Sequence, residues 1–287
     1  MQLMGEHGLA PGVGIAWRPE TAWVASQRAQ LAMTEVIAER VMRTMQVPLG
    51  LAPLIRRGVP IVPHGISLSL GGADRPDPER LDALSRVAEL LGAPLVSEHI
   101  CFVRADGVDV GHLTALPWTE EMLAVAIENV RIAQEALPVP LALENIASLF
   151  LWPDAEMTEV EFITRLLRET GAQLLLDVSN LYANARNHGT DAYAYIDALP
   201  LDQVAYVHVA GGVESAGLYH DTHAHLVDEG SHRLLEYVVA SGYGGPVILE
   251  RDDSFPDAIE LHRELDVLEG ILEEGSLIQT PVVAAHG

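Results

Sequence analysis

Short, nearly continuous apolar runs recur along the 287 residues, each parted from the next by a longer stretch with helical periodicity. The runs are 12–17, 31–38, 60–64, 94–99, 139–144, 173–177, 204–208 and 246–250. Runs that lack polar alternation suit strands buried on both faces, as in a parallel sheet covered by helices. Only the second reads two ways, because residues 31–45 also fit a helix. The intervening segments carry helix punctuation. Asp77-Pro78 puts a capping residue before a proline at the first helical position, and Gly92 can end that helix. Thr158 and Glu161 have capping-box spacing, with Gly171 as terminator, and Thr119-Glu120-Glu121 opens another helix. Eight strand–helix units in a chain slightly above the ~250 residues typical of the fold predict an α/β protein, a single (β/α)8 TIM barrel. The barrel domain is expected over residues 1–275, with 276–287 as a C-terminal tail.

Composition narrows the partners. Asp plus Glu number 41 against 17 Lys plus Arg, a formal charge of −24. That balance disfavours phosphate-backbone binding, so no nucleic-acid partner is expected. No run approaches the ~18 apolar residues of a membrane span. Met1 to Pro11 carries Glu6 and His7 and no leader-like pattern, so neither a membrane anchor nor a signal peptide is expected. One cysteine, Cys101, excludes an intramolecular disulfide and suits a cytoplasmic location.

The strands end in a way that the fold does not require. His64, His99, Glu144, Asp177, His208 and Glu250 each stand where an apolar run gives way to a loop. In a barrel these ends meet on one face. Alone, a strand-end His is usually a satisfied structural residue, and a strand-end acid usually caps a helix or pairs with Arg. Six on one face would repel or stay poorly solvated without cations, and imidazole and carboxylate are ligands for iron, zinc and manganese. The set exceeds what one ion takes, so more than one metal is expected. The loop after the seventh strand adds Asp221-Thr222-His223, and Asn180 could supply an amide oxygen. Cys101 reads as a small buried hydrophobe. His112 is a candidate lining residue of the mouth, His188 a candidate substrate contact, and His220 and His225 weaker ligands. Gly211-Gly212 opens a long loop, 211–229, that could line a peptide groove without side-chain obstruction.

Several blocks together resemble one family. Val62-Pro-His-Gly-Ile-Ser-Leu-Ser-Leu-Gly-Gly72, Ser97-Glu-His-Ile-Cys-Phe102, Leu143-Glu-Asn-Ile146 and Leu176-Asp-Val-Ser-Asn-Leu-Tyr182 begin the series. The segment 184–189, then Val207-His-Val-Ala-Gly-Gly212, Asp221-Thr-His223 and Leu249-Glu250 continue it. From about Gly12 to about Leu268 the chain is similar to the multinuclear non-haem iron-dependent oxidative enzymes (MNIO), relatives of the methanobactin biosynthesis oxidase. The resemblance implies a xylose-isomerase-like barrel holding two or three irons, with dioxygen as co-substrate. It implies oxidation of cysteines in a ribosomally made precursor peptide, often with a partner protein that presents the peptide.

Carried over by motif, Glu144 would bridge two metals. His64 and His99 would complete one site and Asp177, His208 and Glu250 the second. Asn180, Asp221 and His223 would form the third, with Asp221 and His223 also catalytic. Arg40 departs from the pattern, standing where many relatives have Asn. A metal-dependent isomerase or hydrolase, of sugar isomerase or abasic-site endonuclease type, is the alternative that the barrel and ligand types alone leave open.

Overall fold

Eight parallel strands close on themselves. In the computed structural model, which describes residues 9–279, they are β1 Gly12–Trp17, β2 Thr34–Ile37, β3 Ile61–His64, β4 Val96–His99, β5 Leu141–Glu144, β6 Gln173–Asp177, β7 Val204–Val209 and β8 Pro246–Leu249. Each pairs with its neighbours in sequence, and β1 pairs with β8. The expected barrel is present. The ambiguous stretch is both things in turn, since β2 passes directly into a helix at Ala38–Met42.

The period of two along a strand sorts the residues. One residue from each strand or its lead-in joins an interior apolar cluster: Ala16, Met33, Val62, Leu95, Ala142, Leu175, Tyr206 and Ile248. Their chain neighbours, such as Ile15, Ile61, Leu143, Val207 and Leu249, pack in the outer core with the helices. Two residues beyond each interior position, a side chain returns to the interior one layer higher. That step leads from Val62 to His64, Ala142 to Glu144, Leu175 to Asp177, Tyr206 to His208 and Ile248 to Glu250. It also leads from Ala16 to Arg18, from Met33 to Glu35, and from Leu95 through Ser97 to His99. The barrel therefore has an apolar floor and an ionisable upper layer, both buried.

The helices form where their punctuation places them. Asp77 Oδ1 accepts from Glu79 N at 2.9 Å, and helix Pro78–Leu91 ends at Gly92 with φ +58°. Helix Glu159–Thr170 has the Thr158–Glu161 capping box and ends at Gly171 in the left-handed region. The last helix is Ala258–Gln279. The expected tail, 276–287, begins inside it, and 280–287 lie outside the described residues.

Two hairpins escaped the sequence reading: Phe102–Ala105 with Val108–Thr114, and Val213–Ser215 with Leu218–His220. The first turns at Asp106-Gly107, both at positive φ, a dipeptide that signals a hairpin. His112 lies exposed on it.

The Gly211-Gly212 reading needs correction. A Cβ on Gly211 would lie 2.0 Å from the Leu226 carbonyl oxygen and 2.4 Å from that of His225. The glycine thus lets the loop fold back on its own start and leaves no open groove there. Gly211→Ala should destabilise the fold by roughly 1–3 kcal/mol and loosen the segment carrying Asp221 and His223. Thermal unfolding and amide exchange over 219–228 check this. Unchanged stability with unchanged protection would contradict the close approach.

Candidate metal centre

Strand register brings the expected residues together. His99 lies opposite Glu144, and Asp177 opposite His208. His64 Nε2 and His99 Nε2 stand 3.4 and 3.3 Å from Glu144 Oε2. On the other side, His208 Nδ1 is 3.4 Å from Glu144 Oε1 and 3.0 Å from Glu250 Oε2. His64, His99 and Glu144 form one group able to hold an ion, and Glu144, Asp177, His208 and Glu250 form a second. Two ligands each ~2.1 Å from one tetrahedral ion stand about 3.4 Å apart, so these spacings suit shared cations.

The atoms facing this space lack protein partners. Glu144 Oε2, Asp177 Oδ2, His208 Nδ1 and Asp221 Oδ1 are buried without a hydrogen bond. His208 Nδ1 is near two carboxylates, but neither is aligned to bond it. Buried polar atoms left unmatched are costly and rare. Four around one space fit a site for cations.

The far sides of most candidate ligands are tied down. His99 Nδ1 lies 3.1 Å from the Gly65 carbonyl, and His64 Nδ1 lies 2.8 Å from Ser97 Oγ. Ser97 Oγ and Tyr206 Oη are 2.7 Å apart, and Tyr206 Oη is 2.7 Å from Glu35 Oε2. A phenol has one proton. With Glu35 accepting it, Ser97 donates to Tyr206 and His64 Nδ1–H donates to Ser97. The same Glu35 oxygen lies 2.8 Å from His208 Nε2. One buried carboxylate thus sets the tautomers of two histidines, leaving His64 Nε2 and His208 Nδ1 as lone pairs toward the centre. Arg18, also fully buried, donates from Nη2 to Glu250 Oε1 at 3.1 Å and from Nε to Asp252 Oδ1 at 2.7 Å. Asp177 Oδ1 accepts from the backbone N–H of Ser179 and Asn180, capping helix Val178–His188.

Asp177, Asp221 and His223 make a third group. His223 Nε2 is 2.6 Å from Asp221 Oδ2 and 4.0 Å from Asp177 Oδ2, and its φ is +51°. Asn180 stands on the adjacent turn, its Nδ2 donating to the Asn145 carbonyl at 3.0 Å. A fourth group, His223, Glu250 and Asp252, overlaps the second and third. His220 and His225 belong to none of these groups, and His225 Nδ1 is 2.9 Å from Thr222 Oγ1. His188 Nε2 is 2.7 Å from the Ser148 carbonyl. Cys101 is buried; its burial, then Glu98 and Glu144, push its thiol well above the usual range.

Sequence reasoning did not single out Glu35, Arg18, Ser97, Tyr206 or Asp252 as site residues. Their signal was the strand period itself. Glu35 sits among Thr34, Val36 and Ile37 at the inward phase, and Arg18 occupies that phase just after β1.

Charge is balanced here by protons. Burial opposes the charge on His99, but Glu144 and Glu98 outweigh it and raise its pKa to about 9. His208 and His223 are also raised well above 6.5 by neighbouring carboxylates, against burial. Burial would raise Glu35, yet His208 and His64 bring it down to about 2. Asp177 goes the other way, pushed up by burial and by Asp221 and Glu144.

The fold and this site define a xylose-isomerase-like barrel with candidate metal-binding clusters at the carboxyl ends of its strands. A family model described as "RiPP precursor modification enzyme MbnB/TglH/ChrH" matches residues 12–273, and the chain belongs to that family. The chain is similar to a UPF0276 protein of Streptomyces avermitilis, 48% identical over 270 residues, covering 92% of this chain and 55% of that one. It thus spans about half the length of that relative. A UPF0276 protein of Caulobacter vibrioides is 36% identical over 260 residues, covering 89% of this chain and 92% of its own. Among solved structures, a xylose isomerase domain protein from Planctomyces limnophilus has a TM-score of 0.60 at 13% identity, covering 94% of this chain and 99% of its own. An L-ribulose 3-epimerase has 0.59 at 15%, covering 96% and 99%. At such identities the likeness shows the fold alone. Among the described residues, no helix is long and apolar enough to cross a membrane.

The raised histidine pKa values carry a pH signature. A group whose folded pKa is raised stabilises the fold fully below its unfolded value and loses that contribution as pH climbs through the folded one. For His99 this window runs from 6.5 to about 9. The melting temperature of chelator-treated protein should therefore fall as pH rises across it. A flat profile there would contradict the proton balance.

Proposed function

We propose that the chain is a multinuclear iron-dependent oxidase that uses dioxygen to modify cysteines of a ribosomally made precursor peptide. The observation that supports this most is the position of Glu144, whose two oxygens face two different ligand groups. In this reading Glu144 bridges two ions, the first held by His64 and His99 and the second by Asp177, His208 and Glu250. Asp221 and His223, with Asn180, hold a third at the more open edge, where Asp177 also reaches. A neutral amide is a weaker donor than imidazole, so the third ion is the least retained. Membership of a precursor-modifying family supports the peptide as substrate, and a partner protein that presents the peptide belongs to the proposal.

Bound iron would supply redox chemistry toward dioxygen and lower the pKa of a cysteine thiol held against it. The chain's residues prepare that chemistry. Glu35 orients His208 directly and His64 through Tyr206 and Ser97. Arg18 fixes Glu250 Oε1 and leaves Oε2 toward His208 and His223. His223 is the most open of the candidate histidines, its side chain 16% exposed, so an entering side chain would meet it first.

Iron-loaded protein, incubated with dioxygen, the neighbouring precursor peptide and any neighbouring partner, should change the peptide mass, and a Cys→Ser peptide should stay unchanged. Glu144→Ala should empty two sites and abolish the change, whereas Asp221→Ala should empty chiefly the third. An unchanged wild-type peptide with fully loaded protein, or equal metal loss from both variants, would contradict the proposal.

A further inference from the structure

Beside the candidate centre lies a cavity of about 470 Å³, lined in part by His188, that none of the candidate metal ligands lines. It shares a wall with the centre. Ile146 follows Glu144 by two residues, and Leu181 and Asn184 belong to the helix that Asp177 caps. Asn145, between them, bonds the Asp177 backbone in both directions, donating to its carbonyl and accepting from its N–H, each at 2.9 Å. The cavity wall is thus tied to the segments that carry Glu144 and Asp177.

The lining is aromatic on one side and acidic at one spot. Trp118, Phe150, Trp152 and Tyr195 contribute rings, and neither Lys nor Arg lines the cavity. Phe150 and Trp152 meet edge to face at 5.4 Å, while Leu149 to Trp152 present exposed apolar surface at the rim. Two polar groups in the wall have no match. Tyr195 Oη is buried without a hydrogen-bond partner. Glu159 makes no hydrogen bond or ion pair among the described residues, although the charge of its carboxylate acts on Tyr195. Glu159 is half-buried, and that burial pushes its carboxyl up to about 8, so a cation entering the cavity would favour the ionised form. The other lining acid, Asp191, is engaged as the cap of helix Ala192–Ala198.

We propose that this cavity is a peptide subsite that takes a basic side chain, arginine or lysine, of the substrate. The apolar stem would lie along the aromatic rings, and the cationic head would reach Glu159 and Tyr195. Aromatic faces attract cations, and long basic side chains bury their stems while pairing their heads. An apolar side chain would fill the space but leave the buried Tyr195 hydroxyl unmatched and give Glu159 no partner. An acidic one would face Glu159 and Asp191 with neither Lys nor Arg in the lining to pair it. The inference rests on the peptide reading of the centre and adds where the peptide is gripped. A basic residue a few positions from the modified cysteine is the feature it selects.

The test needs no turnover. Metal-loaded protein under argon is titrated with acetyl-Gly-Xaa-Gly-amide, where Xaa is Arg, Lys, norleucine or Glu, and tryptophan fluorescence is followed. Arginine and lysine peptides should bind about tenfold tighter than norleucine, equivalent to about 1.4 kcal/mol, with glutamate weakest. Glu159→Gln should erase most of that preference while melting temperature and metal content stay unchanged. Tyr195→Phe, which removes only the hydroxyl, should weaken basic peptides and spare norleucine. Equal binding of norleucine and arginine, an intact preference in Glu159→Gln, or no binding at all would overturn the subsite. Peptide oxidation, measured separately by mass, can succeed when this binding fails and fail when it succeeds.

Discussion

Six ionisable side chains, His64, His99, Glu144, Asp177, His208 and Glu250, are buried side by side above an apolar floor, and much of the rest of the barrel serves that arrangement. Charges so buried are tolerated only when paired, protonated or bound to metal. The protein alone answers with protons on His99 and His208 and with one guanidinium, Arg18. Cations would replace the protons. The same lone pairs that lack a protein partner would then become ligands, so the cost of leaving them unmatched in the metal-free chain is the measure of the site's readiness.

The supports around the centre follow from strand geometry. Each inward position one step below a ligand either floors the barrel or reaches a ligand's far side. Ser97 and Tyr206 do the second, and Glu35 collects both paths. Glu98 serves the loop after β3 instead, accepting from the backbone N–H of Ser67 and Leu68 at 3.1 and 2.9 Å. Glu39 accepts from Ile66 N at 3.0 Å in the same loop. Acids outside the ligand set thus fix the backbone that follows His64. Arg40, the departure from the family pattern, lies exposed and enters none of the candidate metal-binding groups.

Much of this could be read from the sequence, for a physical reason. A buried parallel strand is apolar, so a charged residue at its end stands out, and all six strand-end candidate ligands were visible that way. Glu35 was not, because it stands inside its strand and not at the end, and that strand runs straight into a helix, which blurred the period. Arg18 and Asp252 lie just past strand ends, where charge is ordinary in a sequence and only the fold shows that Arg18 is buried. The hairpin after β4 was missed although Asp106-Gly107 announced it. The Gly211-Gly212 loop was read as open because a glycine looks the same in sequence whether it faces a ligand or its own chain; the carbonyls of Leu226 and His225 fill that space.

The central claim is that Glu144 is shared between two bound ions. Anomalous X-ray diffraction at the iron edge, on crystals of protein loaded and kept without oxygen, reads this directly. Two peaks flanking Glu144 are expected, one between His64 and His99 and one among Asp177, His208 and Glu250, with His208 bound through Nδ1. A loaded crystal with no peak beside Glu144, its carboxylate bonded only to protein groups, would contradict the account.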